Sequence, residues 1–272
     1  MQLKRKVYLS IVFLSSIIQK VIVFIISLLF SFKAKARKKI LVYSDSRGHE
    51  VTRPWNKHNP FSSYVKKLFF KYDVDYCLCP EFSTTFIDFL YWYKKSINKG
   101  VNYDMVVAHL GLVDFSPRPV SMLRDMIAAK KYKIEYLGFD VNAFTSQLNN
   151  DFGYEYFGEK TNSFYTKTFF EENIIPMLKD IDGIIFIGCN PVLLDWDGNY
   201  WRKRPENINI IMDYNAVLLR EFPFSIVDIS DWNELEIKKY TVDNIHLNRD
   251  GYEVISRRLN DIITLRDVMH VN

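Results

Sequence analysis

From Lys38 onward, short apolar runs built for strands alternate with segments whose apolar residues recur at helical spacing. The strand-like runs are Ile40–Tyr43, Val74–Leu78, Met105–His109, Ile184–Ile187 and Ser225–Ile229. The helix-like segments are Phe61–Tyr72, Thr84–Asn98, Phe164–Leu178, Asn207–Phe222 and Gly251–Thr264. Parallel strands cannot be joined by tight hairpins, so this alternation predicts a mostly parallel sheet with helices on both faces. Residues Arg118 to Asn162 break the rhythm and are expected to form a helical insertion beside the functional crevice. No repeat or low-complexity linker divides the chain, so residues 38–272 are expected to form one domain behind a distinct segment, residues 1–37.

That first segment is the most hydrophobic part of the chain. Val7 to Phe32 is interrupted only by Gln19, Lys20 and a few serines. As one helix it would rise about 39 Å, enough for a bilayer core of about 30 Å. Lys20 sits near its middle, where a charge is expensive, so two shorter segments forming a re-entrant or interfacial element satisfy the run equally. Lys4, Arg5 and Lys6 precede it and Lys33, Lys35, Arg37, Lys38 and Lys39 follow it. Charge on both flanks suits retained membrane association, with membrane lipid as a partner and neither orientation preferred. Ala34-Lys35-Ala36 has the small-x-small form of a cleavage site, but the dense positive charge around it opposes export.

The net charge of +4 lies mainly at those flanks, and no later basic patch carries interleaved aromatics, so a nucleic-acid partner is not expected. Three cysteines, Cys77, Cys79 and Cys189, cannot all pair within one chain, and Cys77 and Cys79, spaced too closely for an easy bridge, read as free, buried thiols. No Cys/His cluster argues for a metal, no Gly-rich fingerprint follows the first strand, and no cofactor is expected.

In doubly wound sheets, ligands bind beyond the carboxyl ends of the strands. Three loops there carry chemistry. Ser44-Asp45-Ser46 follows the first strand, Gly111 and Asp114 follow the third, and Asp243 and His246 lie before the final helix. Ser46 is either part of an ordinary β-to-α loop or a nucleophile held at a strand end. Asp243 and His246 stand three residues apart, so one turn of chain can bring the carboxylate to the imidazole and fix its tautomer. The plain alternative is a turn with a solvated histidine.

The order of these blocks resembles the SGNH, or GDSL-like, hydrolase superfamily across residues 38–265. Ser44-Asp45-Ser46 is similar to its Gly-Asp-Ser block, and Asp243-Asn244-Ile245-His246 to its final Asp-x-x-His block. Gly111-Leu112-Val113-Asp114 occupies the place of its Gly-x-Asn-Asp block. The resemblance implies a flavodoxin-like three-layer sandwich with a mostly parallel five-stranded sheet. It implies hydrolysis or transfer of an ester, with Ser46 as nucleophile, His246 as general base and then acid, and Asp243 as orienter.

The chain departs from the family pattern where oxyanion donors are needed. The second block, Glu81 to Thr85, has no glycine, leaving a backbone N–H near Ser83 as a candidate. Val113 stands where the family's asparagine would be, and an apolar side chain donates nothing. Asn190 and Arg118 are candidate replacements, although Asn190-Pro191 also suits a plain turn and Arg118 could pair with Asp114. Leu193 to Asn207 presents Trp196, Tyr200 and Trp201 with Asp195, Asp197 and Arg202, which suits a carbohydrate or, equally, a loop packed on the domain. The resemblance, taken with the apolar segment, implies an esterase or O-acyltransferase of bacterial surface polysaccharides acting on a glycan or glycolipid at the inner membrane. Lysophospholipid hydrolysis and an inactive glycan-binding or assembly subunit are the competing expectations.

Overall fold

The computed structural model describes residues 2–31, 37–150, 152–199 and 203–269. The main sheet contains β1 (Lys39–Ser44), β2 (Asp73–Leu78) and β3 (Met105–His109). A small antiparallel sheet follows in the chain: β4 (Arg118–Pro119), β5 (Glu155–Tyr156) and β6 (Glu159–Asn162). Two further strands, β7 (Ile184–Ile187) and β8 (Ile226–Val227), complete the main sheet. Its order is β2-β1-β3-β7-β8, and every pair is parallel. The order reverses between β1 and β3, which opens a crevice above their carboxyl ends.

The helices are α1 (Gln2–Ser31), α2 (Val65–Leu68), α3 (Phe86–Ile97), α4 (Leu112–Phe115), α5 (Val120–Tyr136) and α6 (Val141–Gln147). The series continues with α7 (Lys167–Phe169), α8 (Ile175–Lys179), α9 (Ile211–Glu221), α10 (Glu234–Tyr240) and α11 (Arg249–Met269).

Alternation along the strands builds two cores. Leu41, Tyr43, Val106, Ala108, Ile184 and Phe186 face the core shared with α3, α5, α8 and α9. Ile40, Val42, Met105, Val107, Ile185 and Ile187 face the opposite core, shared with α2, α10 and α11. Strands covered on both faces must be apolar at every position, which is why the central ones read as continuous runs. The result is three layers.

The insertion differs from the helical one expected. Its α5 and α6 are helical, but β4, β5 and β6 add a small sheet whose hairpin turns at Phe157-Gly158, with φ of +54° and +75°. The Glu81–Thr85 loop is anchored to α5 by buried charge. Asp88 accepts from the Thr85 N–H at 2.8 Å and from Lys130 and Lys133 at 2.5 and 2.6 Å, and Lys133 also reaches Glu81 at 2.6 Å.

The N-terminal segment is one continuous helix rather than two short ones. Among the described residues no helix is long and apolar enough to cross a membrane, so the bilayer-spanning expectation is not supported. Gln19 is buried and donates its amide to the Trp55 carbonyl at 2.9 Å, while Val23 packs on the domain. The downstream charges are partly committed to the domain: Arg37 donates to the Phe70 carbonyl, Lys38 pairs with Asp267 and Lys39 with Asp75. Lys33, Ala34, Lys35 and Ala36 lie outside the described residues.

Candidate active site

The first strand ends in a forced turn. Asp45 continues the β1 ladder by donating its N–H to the His109 carbonyl at 3.0 Å, and then caps the single 3-10 turn Ser46–Gly48 by accepting the Arg47 N–H at 2.9 Å. The same carboxylate holds the Arg47 guanidinium at 2.9–3.2 Å. Both side chains are buried. Arg47 also donates to the Leu110 carbonyl at 2.9 Å and the Gly188 carbonyl at 3.1 Å, tying the ends of β1, β3 and β7 together. Burial alone would lower the Arg47 pKa, but the Asp45 charge outweighs it and the group is held above its ordinary value. Gly48 is required by close approach, because a Cβ there would lie 2.3 Å from Ser44 Oγ. The turn leaves Ser46 facing the crevice.

The last loop supplies its partner. Asp243 Oδ1 accepts the N–H groups of Ile245 at 3.1 Å and His246 at 2.8 Å, and its Oδ2 lies 2.8 Å from His246 Nδ1. Asn244 between them adopts φ +74°, a left-handed conformation that asparagine tolerates. Its side chain bonds the Leu193 N–H and carbonyl at 2.9 and 3.0 Å and also the Trp196 carbonyl. His246 Nε2 lies 2.9 Å from Ser46 Oγ. Burial would raise the Asp243 pKa, but the His246 hydrogen bond and charge, with Arg204 behind them, lower it below the ordinary value. An ionised carboxylate only accepts, so Nδ1 carries the proton and the Nε2 lone pair faces the serine hydroxyl.

Two other described histidines, His49 and His109, are unsuited to this role. His49 and His109 are buried, and that burial, with neighbouring positive groups, pushes His49 down to about 3 and His109 well below its ordinary value.

Ser46 and His246 open into a cleft of about 290 Å³, also lined by Ser83, Val113, Arg118 and Arg204. Arg204 donates to the Asp243 carbonyl at 2.6 Å, and Arg118 donates to the Val113 carbonyl at 3.3 Å. Ser46 opens its turn and Val113 lies in the first turn of α4, so neither N–H has an acceptor within its own helix.

Three expected site residues fall elsewhere. Asp114 is fully buried, accepting the Phe86 N–H at 2.9 Å and the Tyr165 hydroxyl at 2.6 Å. Burial raises its pKa to about 7 against those two hydrogen bonds. It anchors α3 and does not pair with Arg118. Asn190 spends its amide protons on the Pro191 and Asn244 carbonyls, at 2.7 and 2.8 Å, beneath the Asp243 loop. Gly111 adopts φ +103° at the start of α4 and shapes the turn without lining the cleft. Neither Asp114 nor Asn190 is an oxyanion donor.

Residues not singled out from sequence complete the rim. Phe82, Tyr156 and Phe157 line the cleft, with Phe82 almost wholly exposed. Trp196 instead packs against the domain, and Tyr200, Trp201 and Arg202 lie outside the described residues. Cys77 and Cys79 are free but only half-buried; Cys189 is free and buried beside Arg47. Arg204 and the aromatic hairpin tip had no local signal, since their relevance comes from tertiary proximity. Phe157-Gly158 could have been read as a two-residue turn from its glycine, but phenylalanine is a poor cue for its first position.

No family model matches this sequence, and no curated protein matches it. Among solved structures, the chain is similar to a lipase/acylhydrolase from Enterococcus faecalis, at 16% identity and a TM-score of 0.47, over 84% of this chain and 96% of that one. It is similar to a Lactobacillus plantarum protein at 14% identity and a TM-score of 0.44, over 84% and 97% of the two chains. A salicylyl-acyltransferase from a tetracycline biosynthetic pathway matches at 10% identity and a TM-score of 0.36, over 88% of this chain and 57% of that one.

Proposed function

We propose that this chain is an SGNH-type serine esterase or O-acyltransferase that acts on an acylated glycan or glycolipid at a lipid surface, in bacterial surface polysaccharide metabolism. The observation that carries this reading is the continuous relay from Ser46 Oγ through His246 to Asp243, with links of 2.9 and 2.8 Å, at the floor of a cleft. A neutral serine is a poor nucleophile, and the adjacent base corrects that.

Ser46 Oγ attacks the ester carbonyl while His246 Nε2 takes the hydroxyl proton. The imidazolium then protonates the departing alcohol, leaving the acyl group on Ser46. Water or a second alcohol attacks that acyl-enzyme, gives its proton to Nε2, and carries the acyl group away as Ser46 recovers the proton. Asp243 stays ionised and stabilises the imidazolium in both halves. The main-chain N–H groups of Ser46 and Ser83 are the proposed oxyanion donors. Aromatic faces at Phe82, Tyr156 and Phe157 beside charged donors suit a sugar ring.

Val113 favours one alternative, a scaffold that binds glycans without turning them over, because no side-chain donor stands in its place. A serine-reactive fluorophosphonate separates the two. Folded wild type should label, and Ser46→Ala and His246→Ala should not. Unlabelled wild type would reject the enzyme. Val113→Asn should then raise kcat on an acetylated sugar, toward the 10²–10³ that one such donor is worth.

A further inference from the structure

We infer that Lys133 is a positioning residue of the reaction: through Glu81 and Asp88 it fixes the loop that presents the Ser83 N–H to the developing oxyanion. This rests on the proposed esterase or acyltransferase reading and adds the residue that aligns one of its oxyanion donors. The Glu81–Thr85 loop belongs to no helix or strand, so nothing in its own backbone ladder holds it. Ser83 lines the cleft with Ser46 and His246, and its N–H meets no acceptor among the described residues.

Both ends of that loop are tied to one ammonium group. At its start, the Glu81 N–H donates to Thr84 Oγ1 at 3.3 Å, and the Thr84 hydroxyl donates back to the Glu81 carbonyl at 3.0 Å. At its end, Asp88 accepts the Thr85 N–H at 2.8 Å and the Thr85 hydroxyl at 2.9 Å. Lys133 Nζ, on α5, donates to Glu81 Oε1 and to Asp88 Oδ1, both at 2.6 Å, and so bridges the two ends. Lys130 Nζ meets the other Asp88 oxygen at 2.5 Å, so two carboxylates face two ammonium groups. Asp88, Lys130 and Lys133 are buried, while Glu81 stays at the surface. Burial alone would lower the Lys133 pKa, but Asp88 and Glu81 raise it above its ordinary value and the group stays charged.

Stability alone does not account for this cluster. Apolar side chains of similar volume often hold a buried contact as firmly as an ion pair does. What the charges add is a fixed direction at each end of the loop. Direction matters here because Val113 leaves the oxyanion without a side-chain donor, so the rate leans on main-chain N–H groups. A donor misplaced by about 1 Å can cost about 10²-fold. The Arg118–Asn162 insertion, which contributes α5, thereby takes part in aligning the site.

The test compares full-length wild type with Lys133→Met, Lys133→Arg and Glu81→Gln on p-nitrophenyl acetate, with active sites counted by fluorophosphonate labelling carried to completion. Lys133→Met should lower kcat per labelled site about tenfold or more, with KM within about twofold, because an aligned donor acts on the transition state. A trifluoromethyl ketone forms a bond from its carbonyl carbon to Ser46 Oγ, sends the serine proton to His246 Nε2 and leaves an oxyanion on the former carbonyl oxygen. Its affinity should fall by the same factor as kcat. Lys133→Arg should restore part of both. Glu81→Gln breaks one bridge at the surface, and should lower kcat and ketone affinity about threefold in a protein that still folds.

A purely structural clamp would lower the unfolding midpoint of Lys133→Met and leave kcat per labelled site and ketone affinity unchanged. That result, or a change confined to KM, overturns the inference. If Lys133→Met does not fold, Glu81→Gln decides, and unchanged kcat and ketone affinity in it overturn the inference. Wild type that never labels rejects the enzyme reading and this inference with it, whereas a labelled wild type with unmoved variants overturns this inference alone.

Discussion

Asp114 shows how a residue at a motif position can serve the fold instead of the chemistry. Its place after β3 was legible; its burial was not, because that depends on Tyr165 and Phe86 arriving from other elements. With no exposure and a pKa raised to about 7 by burial, it holds a proton in the folded state that the unfolded chain releases nearer 3.8. The stability contributed by that proton is complete below about pH 4 and is lost as the pH rises towards 7. Buried His49 and His109 have the opposite slope, since their lowered pKa values make folding unfavourable as pH falls below that of an ordinary histidine. The useful measurement is therefore the difference between wild type and Asp114→Asn in urea unfolding at several pH values. Wild type should lose stability relative to the variant between about pH 4 and 7, at up to about 1.4 kcal/mol per pH unit. A difference flat across that range would show that Asp114 is ionised throughout.

At the scale of elements, the central strands were legible because burial on both faces demands uninterrupted apolar residues. Met105–His109 and Ile184–Ile187 are the spans expected, and β8 is shorter than Ser225–Ile229. Helices were harder. Phe61–Tyr72 has the period of one helix but folds as a 3-10 turn and one α turn, because Asn59 and Ser62 side chains bond the local backbone. Phe164–Leu178 is broken by a π turn at Phe170–Ile174 just ahead of Pro176, whose missing N–H cannot continue the ladder. The site's two outer blocks were legible since each is local, whereas the Arg47 clamp joins carbonyls from β3 and β7 loops that only the sheet brings together. Removing one partner of a buried pair leaves an uncompensated charge. Arg47→Met should therefore cost about 3–5 kcal/mol in urea unfolding, and Asp45→Asn in the same chain should recover part of that loss. Additive losses in the double variant would mean that the pair is not coupled.

At the scale of the whole molecule, α1 is the element the domain leaves least covered. Phe13, Leu14, Ile17, Ile18, Val21, Phe24 and Ile25 are all exposed. They recur at three- and four-residue spacing on the side away from Gln19 and Val23, which meet the domain. Because the Gln19 contact lies mid-helix, a crossing helix would carry Trp55 to the centre of the bilayer, where its loop could not be solvated. A helix lying along the interface avoids this: one face keeps the domain and the other enters the acyl boundary. That geometry would also hold the cleft near a glycolipid. The full-length chain should float with vesicles containing anionic lipid, and Leu14→Ser with Ile18→Ser and Ile25→Ser should weaken the partition at least about a hundredfold, given about 1.5–3 kcal/mol for each buried aliphatic side chain. Fluorophosphonate labelling in bulk solution should persist in that variant, because none of the described α1 residues lines the cleft. Unchanged flotation would remove the lipid surface from the proposal, and a dimer that dissociates on the same substitutions would assign the face to a second copy of the chain.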